Sequence, residues 1–306
     1  MSPGVVLVGD VGGTNTRFAL HDGALGPMHA WPTAETPSLS EALERLRSRG
    51  VSAWDAAAVA VAGPVAGDRA SLTNTGWVGH TTDFGSPGCF VNDLAAAAHG
   101  LELLPPSMLV ALRPGVQPVP DTPRAVMGLG TGLGEAYTWG GVVLGGEGGH
   151  RTFAPEDATQ RGLFDAVSAE IGRPATWEHV LSGSGLGRIA AFLAGEPLEG
   201  DHNAVAARVT RGDHPESAAA MALYARLCAT EARTQALQVL ARGGVHLVGG
   251  MVGRIPIEIL RAGFDAAFLD EGPHREVLAG IPAFAVLDTQ VGLLGAAVVA
   301  RRLRAG

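Results

Sequence analysis

The chain has 306 residues, 46% of them hydrophobic, enough for two domains that each bury a core. Its formal net charge of −8 argues against a nucleic-acid or acidic-membrane surface, because both need basic patches. All 22 residues counted as Lys plus Arg are arginine, which excludes a P-loop lysine, a protein-kinase strand lysine and a pyridoxal Schiff base.

The N-terminal stretch VVLVGDVGGTNTRFAL (5–20) reads as strand, two-glycine turn, strand. Gly12 and Gly13 can take positive φ and open the backbone N–H groups of the turn, with Thr14 and Asn15, to an anion. Asp10, at the end of the first strand, is placed to hold a hydrated cation on phosphate oxygens. Leu39 to Arg49 has helical apolar spacing behind a Ser38 cap, and Ala56 to Ala62 is a buried strand ending in Gly63-Pro64. Cys89 to Val91 is a short strand. Leu94 to His99 follows as a helix, so Asn92 and Asp93 sit at a strand-to-helix corner facing the helix N-terminus.

Pro105, Pro106, Pro114, Pro118, Pro120 and Pro123 punctuate the chain at the expected domain crossing. Arg124 to Gly130 is a strand running into GLGTGLG (128–134), and Glu135 to Trp139 returns, a second glycine hairpin built like the first. Two such hairpins, one per half, suggest two related α/β units facing one another across a cleft. GGEGGH (145–150) frames Glu147 and His150 with glycines. Helices are expected over 158–171, 176–181 (carrying Glu178), 185–193 and 215–241, then strand 245–248, a third glycine turn at Gly249-Gly250, helix 255–262, strand 283–287 and a last helix from Val291. The apolar run 291–300 is too short to span a bilayer. The cysteines Cys89 and Cys228 form neither a disulfide framework nor a zinc cluster, and the N-terminus shows no basic start with an apolar signal core, so a cytoplasmic, reducing location is expected.

DVGGTN (10–15), VND (91–93), GTGLG (130–134), GEGGH (146–150), EHVLSG (178–183) and GG (249–250) occur in the order seen in bacterial glucokinases. The chain resembles the plain glucokinase group of the actin/hexokinase/Hsp70-type superfamily over nearly its whole length. The related repressor/open-reading-frame/kinase group carries a cysteine-rich zinc motif that this sequence lacks.

The resemblance implies a two-domain actin-like ATPase (ribonuclease H-like) fold with an interdomain cleft. Residues 1–103 with 291–306 would form the small α/β domain and 104–290 the large one. It implies ATP-dependent phosphorylation of glucose at the 6-hydroxyl, with ATP and Mg2+ required, and a homodimer. Gly12, Gly13, Thr14, Asn15, Gly130, Thr131 and Gly132 would hold the phosphates, Gly249 and Gly250 would let adenine and ribose approach the backbone, and Asp10 would position Mg2+ through water. An uncharged hexose has to be read by carboxylates, amides and imidazole on paired hydroxyls, which Asn92, Asp93, Glu147, His150 and Glu178 supply. Asp93 is the residue expected to take the proton from the 6-hydroxyl.

Taken singly, each has a plainer reading: Asp93 as a helix N-cap, Glu147 as a loop carboxylate, His150 as a core histidine, Glu178 as a helix-face charge, and Arg17 as a strand-face salt-bridge partner. A kinase for mannose or fructose, a non-catalytic sugar sensor, and a nucleotide or polyphosphate hydrolase are the other functions that this fold would allow.

Overall fold

The computed structural model describes residues 4–63, 65–72, 75–269 and 272–305; Pro64, expected at the end of a strand, lies outside them. The chain divides into two units, Met1–Pro106 with Asp288–Gly306, and Ser107–Leu287.

The first unit begins with β1 (Val6–Val11), β2 (Asn15–His21), β3 (His29–Pro32), α1 (Leu39–Ser48) and β4 (Ala56–Val61). Three short strands, β5 (Val65–Ala66), β6 (Arg69–Ser71) and β7 (Val78–His80), make a separate small sheet, before β8 (Gly88–Asn92) and α2 (Asp93–Gly100). The main sheet has the order β3-β2-β1-β4-β8; β1–β3 are antiparallel neighbours, and β4 and β8 extend the sheet in parallel.

The second unit runs through β9 (Leu109–Ala111), β10 (Arg124–Leu129), β11 (Leu133–Trp139) and β12 (Val142–Gly146). Helices α3 (Ala158–Ile171), α4 (Trp177–Val180), α5 (Gly183–Ala194), α6 (His202–Arg211) and α7 (Ser217–Val239) follow. Then come β13 (Val245–Val248), α8 (Ile257–Ala267), α9 (Arg275–Ala279) and β14 (Ala283–Val286). Its sheet order, β12-β11-β10-β13-β14-β9, repeats the first sheet strand for strand and adds β9 at one edge. Helix α10 (Val291–Ala305) returns to the first unit.

Alternation along β1 sorts its side chains to two cores. Val6 and Val8 pack with Ala56 and Ala58 against Leu293, Ala296, Ala297 and Ala300 of α10, whereas Leu7 and Val11 join Phe18, Trp77 and α1 on the opposite face. Small residues bring α2 and α10 unusually close: a Cβ on Gly295 would fall inside the Ala96 carbonyl, and one on Gly100 would strike Val291 O. The start of α2, where Asp93 sits, is thereby fixed against the helix that backs β1. The second unit holds one large core running from β10 and β13 through α5 and α7 to α8.

Several short elements differ from sequence expectation. Strands β3, β5–β7, β9 and β12 and helices α6 and α9 are additional, and α8 starts two residues later than expected and runs to Ala267, because Pro256 occupies its N-cap. Pro at this boundary lacks the N–H that a helix interior would need.

Candidate active site

In the first unit the β1–β2 hairpin sets Asp10 opposite Arg17 in register, and the two side chains form an ion pair. Arg17 Nη1 also donates to Thr289 O at 3.4 Å. Asp10 shares the β1 face of Val6 and Val8, so its carboxylate points to the start of α10, where a Cβ on Gly292 would lie 4.0 Å from Asp10 Cγ. Arg17 thus takes its plainer reading, a salt-bridge partner. The turn itself differs from expectation: neither Gly12 nor Gly13 has positive φ. Gly12 N–H closes the turn on Asn15 O at 2.9 Å, and a Cβ on Gly13 would meet nothing within 4 Å, so its bare backbone leaves space rather than permitting a strained bend. Thr33, absent from the sequence reading, braces the hairpin by donating from Oγ1 to Gly12 O at 2.7 Å and from its backbone N–H to Thr14 O at 2.9 Å.

The plainer reading of Asp93 as the helix cap is overturned. Asn92 is the N-cap of α2, its Oδ1 accepting from Leu94 N at 3.0 Å and Ala95 N at 3.2 Å, and Asp93 is the first helical residue. Asp93 Oδ1 accepts from Leu94 N at 2.9 Å. Solvent reaches the Asp93 side chain, yet surrounding protein strips much of its hydration and pushes the carboxyl up to about 6, with the Asp10 charge acting in the same direction. The hydrogen bonds from Leu94 N–H and Asn92 oppose that rise.

In the second unit the β10–β11 hairpin turns one residue tighter than the first. Gly130 N–H donates to Gly132 O at 3.0 Å, and Gly130 O accepts from Gly183 N at the start of α5 at 2.8 Å. Thr131 is exposed at the tip. Glu178, on α4, reaches behind this turn: Oε2 accepts from Leu133 N at 3.1 Å, and a Cβ on Gly132 would collide with it. The other oxygen, Oε1, lies 3.9 Å from His150 Nδ1, while His150 Nε2 lies 3.6 Å from Glu147 Oε2. The structure therefore brings Glu147, His150 and Glu178 together around one imidazole. His150 is 58% exposed and is not a core histidine; Glu147, at 89%, projects from its loop. Gly249 has φ of +103°, and a Cβ there would hit Leu129 O, so the fold itself demands glycine at 249, whereas a Cβ on Gly250 would meet nothing within 4 Å. Met251 N–H donates to Leu129 O at 3.0 Å, tying the 249–251 turn to the strand that leads into Gly130.

Sequence reasoning misses Ser182 and Gly183 as separate site residues although both lie in EHVLSG. Ser182 caps α5, accepting from Gly185 N at 3.1 Å, and directs that helix start toward Gly130. Among the described residues no three His, Cys, Asp or Glu side chains form a metal-holding group, and no helix is long and apolar enough to cross a membrane.

The chain is similar to known proteins over nearly its whole length. The glucokinase family model matches residues 7–303. The chain is 34% identical to the glucokinase of Sinorhizobium fredii over 98% of its own length and 93% of that protein. Among solved structures, a glucokinase from an Antarctic psychrotroph superposes with a TM-score of 0.86 at 27% identity, covering 97% of this chain and 99% of the other. A ROK-family glucokinase from Streptomyces griseus, solved with glucose and AMPPNP, superposes with a TM-score of 0.66 at 20% identity over 98% of this chain and all of the other, a likeness of fold. The duplicated sheet is that of the two-domain actin-like ATPases. With the family model spanning nearly every element described above and a relative above 30% identity along the same length, the chain belongs to the glucokinase family.

Proposed function

We propose that this protein is a hexose kinase that transfers the γ-phosphoryl group of ATP to the 6-hydroxyl of glucose, giving glucose 6-phosphate and ADP at the entry to glycolysis. The observation that carries the reading is Asp93, an accessible carboxyl group made more basic than an ordinary aspartate and held at the rigid start of α2. A primary alcohol is a weak nucleophile at neutral pH, and its proton has to leave as the phosphoryl group arrives. With its carboxyl near 6, Asp93 is ionised at neutral pH and accepts that proton more readily than an unperturbed aspartate. Asn92, its Oδ1 committed to the cap and one amide hydrogen to Asp93, keeps the other for a sugar hydroxyl. Glu147, His150 and Glu178 read further hydroxyls; the imidazole between two carboxylates can donate or accept to suit them.

Gly13, Thr14 and Asn15 from the first hairpin and Thr131 and Gly132 from the second face the phosphates, while Gly12 and Gly130 shape those turns with their own N–H groups. Gly249 and Gly250 offer a side-chain-free surface to the adenosine end. Magnesium usually takes one or two carboxylates and completes its shell with water and substrate phosphates. Asp10, a single carboxylate at a strand end with no acid cluster beside it among the described residues, fits that donor set. When bound, the ion neutralises phosphate charge; Asp10 would hold it, releasing Arg17.

The exposed Trp139, Val142 and Leu144 on the β11–β12 hairpin, an edge of the second sheet, support a homodimer with a second copy of this chain. A cytoplasmic enzyme suits free Cys89 and Cys228.

A coupled assay for hexose 6-phosphate, run over glucose, mannose and fructose against ATP, ADP and polyphosphate, tests the whole reading. Turnover is expected with glucose and ATP in the presence of Mg2+. Sugar binding without turnover would indicate a sensor, and donor hydrolysis indifferent to sugar would indicate a hydrolase.

A further inference from the structure

Beneath the turn that carries Glu147 and His150 lies a group of charges that the proposed reaction does not use. Glu135 on β11 and Glu231 on α7 are almost fully buried, with side chains 2% and 0% exposed, and the guanidinium of Arg151 lies between them. Arg151 Nη2 donates to both oxygens of Glu135, at 3.0 and 3.2 Å, and also to Oε1 of Glu231. The same arginine grips the turn: its Nε donates to Gly148 O at 3.1 Å and its backbone N–H to that oxygen at 2.9 Å. Gly148 sits so close to Glu135 that a Cβ would overlap the carboxylate. Glu147 and His150 are thus positioned through Gly148 and Arg151.

One arginine cannot neutralise two buried carboxylates, and an uncompensated buried charge is costly. Among the described residues Glu231 Oε2 has no partner, and burial together with the Glu135 charge pushes this carboxyl up to about 8. Besides Glu135 and Arg151, Tyr137 from β11 faces the same group; burial and the Glu135 charge raise its phenol to about 12, so it stays neutral through the same range. Gln235, one turn further along α7, is buried without a partner for either side-chain atom among the described residues and brings no charge.

We propose that Arg151 is a positioning residue for sugar recognition, held by Glu135 and a protonated Glu231, and that ionisation of Glu231 loosens the turn bearing Glu147 and His150. This rests on the reading of those two residues as sugar ligands. With the proton in place the group is neutral, one arginine against one carboxylate. Losing it leaves a net buried negative charge, relieved by drawing Arg151 away from Gly148 or by admitting water.

The test is glucose affinity by calorimetry from pH 7 to pH 9, glucose itself being uncharged throughout, on the wild type, Glu231→Gln and Arg151→Met, with Arg151→Lys as the conservative variant. The wild-type Kd is expected to rise several-fold toward pH 9. Glu231→Gln keeps an acceptor for Arg151 but cannot ionise, so its Kd should stay near the wild-type value at pH 7 across the range. Arg151→Met should weaken glucose about ten-fold at pH 7, the loss of a charge-assisted hydrogen bond, with KM for ATP nearly unchanged and partial recovery in Arg151→Lys. If Arg151→Met fails to fold, the comparison of wild type with Glu231→Gln still decides. A Glu231→Gln protein with the same alkaline rise as wild type, or a wild type with none, overturns the proposal while leaving the sugar reading intact. A wild type that binds no glucose at any pH overturns that reading and this one with it.

Discussion

The two glycine hairpins differ in turn length, with four residues between Val11 and Thr16 and three between Leu129 and Leu133, and in what they carry. In β1–β2 the second rung from the turn pairs Asp10 with Arg17, and in β10–β11 the same rung pairs Gly128 with Gly134. One hairpin brings a carboxylate to the turn; the other brings bare backbone, and its acid, Glu178, arrives from a separate helix to accept from Leu133 N–H. In the proposed function the charges of the first unit serve metal and proton, while the second unit holds a carboxylate-imidazole-carboxylate set for sugar hydroxyls. Proton transfer and sugar reading should accordingly fail separately when residues are changed.

The largest effect is expected at Asp93. Asp93→Asn preserves size and the Asn92 cap but removes basicity, so kcat should fall by roughly 10² to 10⁴, about 3 to 5 kcal/mol of transition-state stabilisation. Calorimetric glucose binding should largely survive, because the lost interaction belongs mainly to the transition state. In the second unit, Glu147→Gln should raise KM for glucose by about ten-fold, with little change in KM for ATP or in Tm, since the side chain is 89% exposed and its carboxylate lies 3.6 Å from His150. Glu178→Gln should also weaken glucose, but because Oε2 accepts from Leu133 N–H behind Gly132 it should disturb KM for ATP as well. Indistinguishable profiles for these two variants would break the division.

Packing sets a smaller, structural effect. Gly295→Ala puts a methyl group into the Ala96 carbonyl where α2 crosses α10, and overpacking of this kind costs about 1 to 3 kcal/mol, visible as a lowered Tm. The same shift at the start of α2 should lower kcat more than it alters glucose affinity. Glu231 contributes a pH dependence of stability. Its folded carboxyl, near 8, lies above the ordinary 4.5, so the folded state binds the proton more tightly and this contribution is present at low pH and lost as pH rises from about 4.5 through 8. Denaturant midpoints at pH 5 and pH 8 should differ less in Glu231→Gln than in wild type.

Much of this was legible in the sequence because it is local. Strand Val245–Val248 and helix Ala158–Ile171 coincide with their apolar patterns, and Ser38 caps α1 as its position suggests. Strands of two or three residues such as β5, β6 and β9 carry too few alternations to show a period, and β12 turns Val142 and Leu144 outward against the usual rule. At the site, the motif residues were visible, but their supports were not. Thr33 reaches Gly12 from 21 residues away, and Glu231 reaches Arg151 from 80, so nothing short of the fold joins them. Gly12 and Gly13 do not use the positive φ that their residue type allows; at Gly13 the missing side chain leaves open space instead.

The central claim, that Asp93 takes the proton from the sugar hydroxyl, is tested most directly by the pH dependence of kcat/KM for glucose in wild type and Asp93→Asn measured side by side. With its carboxyl near 6, Asp93 is competent as a base only above that pH, so the wild-type rate should fall on the acid side with an apparent pKa near 6, and the residual activity of Asp93→Asn should lack that limb. A variant that turns over near the wild-type rate, with the acid limb unchanged, would contradict it.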